Sequence, residues 1–180
     1  MATASRPWTR KDLERLPDDG NRYEVLDGAL LVTPLADARH QGTATDLTIR
    51  LGSYAANYGI GRVYSPGAIP HGTSELQPDL LIVLTAAIPA SGKWENLPTP
   101  ALVVEILSPS MRRRDLFLKR EAYLRWGIPE YWIVDVDERH VTIVRAGHSD
   151  ETVTDTLHWQ PQPEVPALVI KLDELFPKSR

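Results

Sequence analysis

Two apolar runs near the centre of the chain constrain its fold more than any other feature. Leu80 to Leu84 is uninterrupted, and the segment ALVVEIL over 101–107 is apolar except at one position. Strands that are buried on both faces have this continuous pattern, whereas strands with one wet face alternate apolar and polar residues. A doubly buried sheet needs helices over its faces. The two runs therefore predict an α/β fold, with a mixed central β-sheet flanked by helices in three layers.

Turn and capping residues predict the other elements. Asp27-Gly28 is a favoured pair for a tight turn, and it separates two short apolar-rich segments that are typical of a hairpin. The elements are expected in this order: a short helix from Thr9 to before Pro17, hairpin strands Arg22 to Leu26 and Ala29 to Thr33, a helix over about 37–58, short strands over 61–64 and 67–70, the two central strands, a helix after Ser108-Pro109 that closes at Gly127, strands over 131–135 and 141–145, and a tail with one or two strands and a terminal helix.

Length and composition limit the class of protein. The 180 residues fit a single domain over 1–180. The chain has no cysteine, which excludes disulfides, thiolate metal sites and cysteine nucleophiles. No apolar stretch is long enough to cross a bilayer, and the first residues lack the apolar core of a signal peptide. These features predict a cytoplasmic protein with no membrane partner.

Several common enzyme motifs are absent from the sequence. The five histidines show none of the spacings of zinc hydrolases, and no nucleophile elbow, P-loop or dinucleotide-binding fingerprint occurs. Zinc hydrolase, serine hydrolase and nucleotide-binding functions therefore have no support. His40, just after the second hairpin strand, is interpreted as a surface or helix-start residue, and contact with a substrate phosphate is the alternative.

The informative anomaly is a carboxylate inside one of the buried strands. Glu105 lies between Val104 and Ile106 in the segment ALVVEIL. An ionised carboxylate in such a place costs several kcal/mol unless it is paired, neutralised or bound to a cation. A structural ion pair, or a position at the wet end of the strand, is the alternative to a functional role.

Two further acidic residues interrupt apolar strands in the same way. Asp79 directly precedes the run LLIVL, and Glu24 lies within RYEVL of the first hairpin strand. Carboxylates on three separate strands could converge on one point, and hard cations such as Mg²⁺ prefer a few oxygen ligands with open positions for water and phosphate. A strand carbonyl, such as that of Ile106, could complete the ligand set. Asp135, at the end of YWIVD, competes as a candidate but is interpreted as a turn residue.

A lysine on the helix after the Glu105 strand is the fourth candidate. By the i, i+3, i+4 rule Lys119 shares one helix face with Asp115, Leu116, Ala122, Tyr123 and Trp126. This mostly apolar face should pack on the sheet and bring the Lys119 ammonium to the Glu105 region, where it could orient an attacking water. The alternative is that Lys119 extends past the edge of the core or pairs with Asp115.

The net charge of −4 does not indicate nucleic acid, but the charge is unevenly distributed. Between Ser110 and Arg125 there are six basic residues and two acidic ones. Such a run is typical of a solvated helix face, and beside a catalytic site it would instead contact the phosphates of nucleic acid. The residues that we assign to phosphate contacts are Arg112, Arg113, Arg114 and Arg120.

Four stretches of the chain resemble a known family. The segments RYEVLDGALLVTP, ARH, QPDLLIVL and PALVVEILSPSMRRRDLFLKREAYLRWGIPEYWIVD are similar to the Uma-two family of endonucleases, within the PD-(D/E)XK restriction-endonuclease-like superfamily. The resemblance covers about residues 8–172. It implies a restriction-endonuclease-like fold, magnesium as cofactor with manganese as a substitute, nucleic acid (DNA in particular) as partner, and homodimers. It also implies Asp79 and Glu105 as metal ligands, with Glu24 as a supporting or second-metal acid.

One departure from the superfamily pattern concerns its lysine. The superfamily has a lysine two residues after the acid, where this chain has Leu107. In the Uma-two pattern the lysine has moved to the following helix, which corresponds to Lys119. The hypothesis is a metal-dependent nuclease in which Asp79 and Glu105 hold the metal and Lys119 holds the attacking water.

Two alternatives to this hypothesis stay open. The chain could be a catalytically inactive, dimeric binding or scaffold protein that retains the nuclease fold, and such a protein should bind neither magnesium nor manganese. It could also be a phosphodiesterase whose substrate is RNA or branched DNA.

Overall fold

The computed structural model describes residues 6–84, 91–108 and 115–176. The strands are β1 Arg22–Leu26, β2 Ala29–Thr33, β3 Arg62–Tyr64, β4 Ile69–His71, β5 Ser74–Leu76, β6 Leu80–Val83, β7 Leu102–Ile106, β8 Glu130–Asp135, β9 His140–Arg145, β10 Glu151–Val153, β11 Thr156–Trp159 and β12 Leu168–Lys171. The helices are α1 Ala38–Tyr58, α2 Arg120–Arg125 and α3 Leu172–Leu175. A π-helical segment over Asp115–Lys119 leads into α2, and short 3-10 helices cover Arg10–Arg15 and Trp94–Asn96.

A six-stranded mixed sheet forms the centre, in the order β10-β9-β8-β7-β6-β3. Only β7 and β8 in this sheet pair in parallel, and the segment that contains α2 connects them, as a parallel pair requires a crossover. Every residue of β6 and of β7 is buried. This confirms the prediction that the two apolar runs form strands covered on both faces.

Two different layers cover the central sheet. On one face α1 packs through Leu47 and Leu51 against Leu80, Val104 and Trp132. The other face is covered by α2 together with a second, antiparallel sheet in the order β2-β1-β5-β4. The mixed sheet flanked by helices is therefore confirmed, and the second sheet shares one flank with α2.

The predicted hairpin turn and the helix that follows it are confirmed in the first third of the chain. Asp27 and Gly28 have φ values of 49° and 86°, and two left-handed residues in a two-residue loop give a turn whose twist matches the hairpin. The Asp37 side chain accepts a hydrogen bond from the His40 backbone N–H at the start of α1, and Gly59, with φ of 62°, ends the helix.

The remaining differences from the sequence prediction concern short elements. Strand β5 was not predicted, because three residues are too few for an alternating pattern to stand out. The tail contains the three strands β10, β11 and β12 where one or two were expected. The predicted helix start at Pro109 lies outside the described residues. In the described part of the chain no helix is both long and apolar enough to cross a membrane.

Candidate active site

A fully buried lysine joins the two sheets. Lys119 Nζ lies 2.8 Å from Glu105 Oε1 and 2.9 Å from Glu24 Oε1, and the exposed fraction of these three side chains is at most 1%. Glu24 comes from β1 in the second sheet, Glu105 from β7 in the central sheet, and Lys119 from the end of the π-helical segment. The ammonium therefore joins β1 of the second sheet to β7 of the central sheet.

The helix face that was predicted to carry Lys119 inward is confirmed where its side chains are described. Ala122, Tyr123 and Trp126 are buried with Lys119, whereas Phe117 and Leu118 are exposed. The predicted pairing of Lys119 with Asp115 concerns a side chain outside the described ones. The turn before α2 is π-helical, a rare geometry that frequently occurs at functional sites.

A tyrosine from α2 completes the environment of Glu105. Tyr123 OH donates a hydrogen bond to Glu105 Oε1 at 2.8 Å. Burial, together with the negative charges of Glu105 and Glu24, raises the pKa of Tyr123 well above its usual value, so that the phenol stays protonated as a donor. The helical spacing predicted Tyr123 only on an apolar helix face, because a phenol at that spacing resembles ordinary core, and its contact with Glu105 was not predicted.

The third carboxylate, Asp79, accepts hydrogen bonds on both of its oxygens. Oδ1 accepts from Arg22 Nη1 at 2.8 Å, while Oδ2 accepts from the Ile106 backbone N–H at 2.8 Å and contacts His40 Nε2 at 3.0 Å. Burial alone would raise the pKa of Asp79, but the contacts with His40, Arg22 and the Ile106 amide outweigh it and lower the pKa to about 2. Asp79 is therefore ionised at neutral pH.

Arg22 lies among all three carboxylates and was not predicted as a site residue. Its Nη1 also donates to the Gln77 carbonyl at 2.9 Å. Burial works to lower the pKa of Arg22, but the charges of Glu105, Asp79 and Glu24 raise it above its usual value. A signal was present in the sequence, because residues two apart on a strand share a face, and Arg22 precedes Glu24 by two.

Glu24 has one oxygen that is buried without a hydrogen-bond donor. Its Oε1 accepts from the Gln77 backbone N–H at 2.6 Å and contacts Lys119, whereas its Oε2 is buried and has no partner within the described residues. A buried carboxylate oxygen without a donor is costly, and a cation or a water would satisfy it. The oxygen chemistry of the three acids suits a hard divalent cation.

The carboxylates are not assembled as a preformed metal site. Among residues 6–84, 91–108 and 115–176, no group of three His, Cys, Asp or Glu side chains could hold a metal ion as they stand. Lys119 lies between Glu24 and Glu105, and Arg22 lies on Asp79. The predicted convergence therefore brings Glu24 and Glu105 to one ammonium and Asp79 to a neighbouring guanidinium.

Comparisons with known proteins identify the family. A family model described as "Uma2: Putative restriction endonuclease" matches residues 10–173. The chain belongs to the Uma2 family. The match covers the whole region that contains Glu24, Asp79, Glu105 and Lys119 and confirms the family resemblance predicted from the sequence.

A solved structure supports the fold of this Uma2 protein. The crystal structure of a "putative nuclease belonging to DUF820" from Anabaena variabilis is similar, with a TM-score of 0.76 and 22% sequence identity. The similarity covers 94% of this chain and 98% of that one, and it confirms the restriction-endonuclease-like fold class. No curated protein matches the chain.

Among the other predicted site residues of this Uma2 protein, His40 and Ile106 lie at the acids. His40 is in the first turn of α1, as expected, but it is 6% exposed and so is not a surface residue. Its contact is Asp79, and its Nδ1 is buried without a partner in the described part of the chain. Ile106 contacts Asp79 through its backbone N–H, and the role of its carbonyl as a metal ligand stays a prediction.

Arg120 and Asp135 have other contacts. Arg120 forms a partly exposed ion pair with Asp150, with Nη2 2.8 Å from Oδ1, and its contact with a phosphate stays a prediction. Arg112, Arg113 and Arg114 lie outside the described residues. Asp135 accepts a hydrogen bond from the Glu138 backbone N–H at 3.0 Å, which confirms its interpretation as a turn residue.

Proposed function

We propose that this Uma2 protein is a metal-dependent nuclease that hydrolyses phosphodiester bonds in nucleic acid, DNA in particular. The observation that carries the proposal is the buried Lys119 ammonium between Glu24 and Glu105, adjacent to Asp79. Buried charges in such density are expensive, and active sites are where chains retain them. The family to which the chain belongs is described as a restriction endonuclease family, which supports the same chemistry.

The residues that would hold a metal are the acids already described. Asp79 and Glu105 would bind Mg²⁺, or Mn²⁺ as a substitute, with the Ile106 carbonyl as a third ligand and Glu24 as the supporting acid. A divalent ion at these oxygens would lower the pKa of a bound water and neutralise the charge that develops on the phosphate. The Glu24 oxygen without a donor is the feature of this site that most favours such a ligand.

The chain's own residues orient and activate the reacting groups. His40 and the Ile106 amide fix the Asp79 carboxylate, and Tyr123 fixes Glu105. Lys119 holds the attacking water, because Leu107 stands at the position where the superfamily has its lysine and cannot donate a hydrogen bond. Burial of these groups keeps bulk water away, which strengthens each electrostatic contact.

The proposal also covers how the protein binds the substrate backbone and how it assembles. Arg120 would exchange Asp150 for a phosphate of the substrate, and Arg112, Arg113 and Arg114 would contact flanking phosphates without reading sequence. Homodimers and a cytoplasmic location belong to the same proposal.

One observation favours a second function, a catalytically inactive binding or scaffold protein with the same fold. Each of the three carboxylates already contacts a cationic side chain of the protein: Arg22 contacts Asp79, and Lys119 contacts Glu24 and Glu105. A purely structural ion-pair network would have this arrangement. Such a protein would bind neither Mg²⁺ nor Mn²⁺.

The first prediction separates these functions through Glu105→Gln. The amide oxygen can still accept from Lys119 and Tyr123, so the variant should fold, whereas the lost charge weakens metal binding and should reduce cleavage by at least about 10²-fold. The assay measures cleavage of DNA and RNA with Mg²⁺, Mn²⁺ or EDTA, with calorimetric titration of the metal in parallel. Asp135→Asn is the matched control, since it removes a buried carboxylate from the neighbouring strand β8 and should retain activity.

Three outcomes bear on the proposal. Metal-dependent cleavage by the wild type and by Asp135→Asn, with none by Glu105→Gln, supports the nuclease. A wild-type protein that neither binds metal nor cleaves any substrate supports the scaffold. A Glu105→Gln variant that unfolds while Asp135→Asn does not would favour the structural ion-pair network.

A further inference from the structure

A cleft opens beside Asp79 and Arg22, and Lys119 is not part of its lining. Its volume is about 210 Å³. This is smaller than the roughly 300–1,000 Å³ of ordinary small-molecule sites, so the cleft suits one group presented by a large substrate. Its lining is mostly small and apolar, as at Pro34 and Ala36, and Arg22 is the cationic residue in it.

Arg22 reaches solvent through this cleft, in contrast to Lys119. The exposed fraction of the Arg22 side chain is 22%, and that of Lys119 is 0%. Lys119 lies between two carboxylates, has no exposed surface and does not line the cleft, so a phosphate in the cleft does not reach its ammonium. Of these two site cations, Arg22 is the one that an anion in the cleft can contact.

The guanidinium of Arg22 also has N–H donors beyond those that bind the protein. Both of its protein hydrogen bonds, to Asp79 Oδ1 and the Gln77 carbonyl, come from Nη1. Within the described residues Nη2 and Nε donate to no protein atom. Neither nitrogen is among the fully buried polar atoms that lack a partner, so both remain accessible. The planar fork of a guanidinium matches two oxygens of a phosphate, and these contacts are stronger than those of a neutral donor.

We propose that Arg22 is the phosphate-binding residue of this cleft and contacts the sugar-phosphate backbone of bound nucleic acid. The inference rests on the proposed function, because it assigns the backbone contact that would place a phosphodiester beside Asp79. Arg22 holds Asp79 through Nη1 and offers Nη2 and Nε to the phosphate, so one guanidinium connects the substrate to the acid. Arg22 therefore acts as a substrate-binding residue and, through Asp79, as a positioning residue.

The test measures binding without turnover. Fluorescence anisotropy with labelled duplex DNA, single-stranded DNA and single-stranded RNA, all in EDTA, gives the Kd as a function of salt concentration. Arg22→Gln should raise the Kd about tenfold and flatten the slope of log Kd against log salt by about one, because one phosphate contact releases about one counterion. Arg50→Gln is the matched control, since it removes the same charge from an arginine of α1 that pairs with Glu174 outside the cleft.

A second variant keeps the test decisive if Arg22→Gln proves unstable. Arg22→Lys retains the charge that balances the acids but lacks the two-pronged fork, so it should fold and bind several-fold more weakly than the wild type with nearly the same salt slope. If Arg22→Gln does not fold, an Arg22→Lys variant that binds nucleic acid as tightly as the wild type overturns the proposal.

The outcomes distinguish this inference from the proposed function. Arg22→Gln that binds with the affinity and salt slope of Arg50→Gln overturns the phosphate contact, even where the wild type cleaves DNA with Mg²⁺. A wild type that shows Arg22-dependent binding but cleaves no substrate retains the contact and fails as a nuclease. A wild type with no affinity for any of the three probes overturns the inference. Preference among the probes shows whether the contacted backbone belongs to DNA or RNA.

Discussion

Lys119 illustrates at the scale of one residue how stability and chemistry depend on the same charge. Its ammonium contacts two carboxylates that are themselves buried, Glu24 and Glu105. Removing one partner of a buried ion pair typically costs about 3–5 kcal/mol. Any variant at this position therefore changes the free energy of unfolding as well as turnover, and both must be measured.

The second prediction concerns Lys119→Ala. Loss of the group that holds the attacking water should lower turnover by roughly 10²-fold or more, while metal affinity should not fall, since no ligand is removed. A sharper test moves the lysine from position 119 to position 107. Leu107 lies on the same strand face as Glu105, so Leu107→Lys combined with Lys119→Ala should recover part of the activity if both positions address the same water. Full activity in Lys119→Ala alone would exclude the migrated-lysine mechanism.

The third prediction is a pH dependence that comes from Asp79. The folded chain lowers the pKa of this carboxyl from 3.8 to about 2, so ionised Asp79 stabilises the folded state above about pH 4. That stabilisation, roughly 2 kcal/mol, should be lost as the pH falls from about 4 to about 2. The free energy of unfolding of the wild type and of Asp79→Asn is measured in EDTA across this pH range, and the difference between the two is followed. A difference that stays constant with pH would contradict the lowered pKa.

At the scale of elements, the hairpin of β1 and β2 supports the site because β1 supplies both Arg22 and Glu24. Its turn depends on Gly28, whose φ is 86° and where an added Cβ would lie 2.9 Å from Pro7 Cβ. The fourth prediction is that Gly28→Ala lowers the free energy of unfolding by at least about 1–2 kcal/mol. Gly52→Ala in α1 is the control, with no heavy atom within 4 Å, and should stabilise by roughly 0.5–1 kcal/mol. Urea unfolding measures both, and equal effects would contradict the strain at the turn.

The elements that were predicted well are those with a strong local signal. The Asp27-Gly28 turn, helix α1 and the continuous apolar runs each depend on neighbouring residues, and each is confirmed. Strand β5 and the strands of the tail have three or four residues each, and β5 pairs with the distant β1 as well as with its neighbour β4. Segments of three or four residues are too short for an alternating hydrophobic pattern to be recognised in the sequence.

At the scale of the whole molecule, the acids were predicted and most of their partners were not. Glu24, Asp79 and Glu105 stand out because charge in an apolar strand is conspicuous. Arg22, Tyr123 and the Ile106 amide reach them from residues remote in sequence, at separations of 57, 18 and 27 positions for the contacts concerned. Such contacts depend on how the two sheets and α2 are placed together, which no local pattern encodes. His40 was recognised at a helix start, but its contact with Asp79 has the same long-range origin.

The bridge from Glu24 through Lys119 to Glu105 has a consequence for how relatives of this protein diverge. Two selective pressures act on the same three side chains, because they stand at the proposed reaction centre and also hold the two sheets together. A descendant that abandoned hydrolysis would still lose stability by substituting any one of them, so these positions would change slowly and in concert. Arg22 also links the sheets through Asp79, but it is 22% exposed, so its loss would cost less stability than loss of a fully buried bridge residue and it would be released from selection sooner. Loss of the arginine while the bridge persists would therefore mark the branches of the family that have given up their substrate.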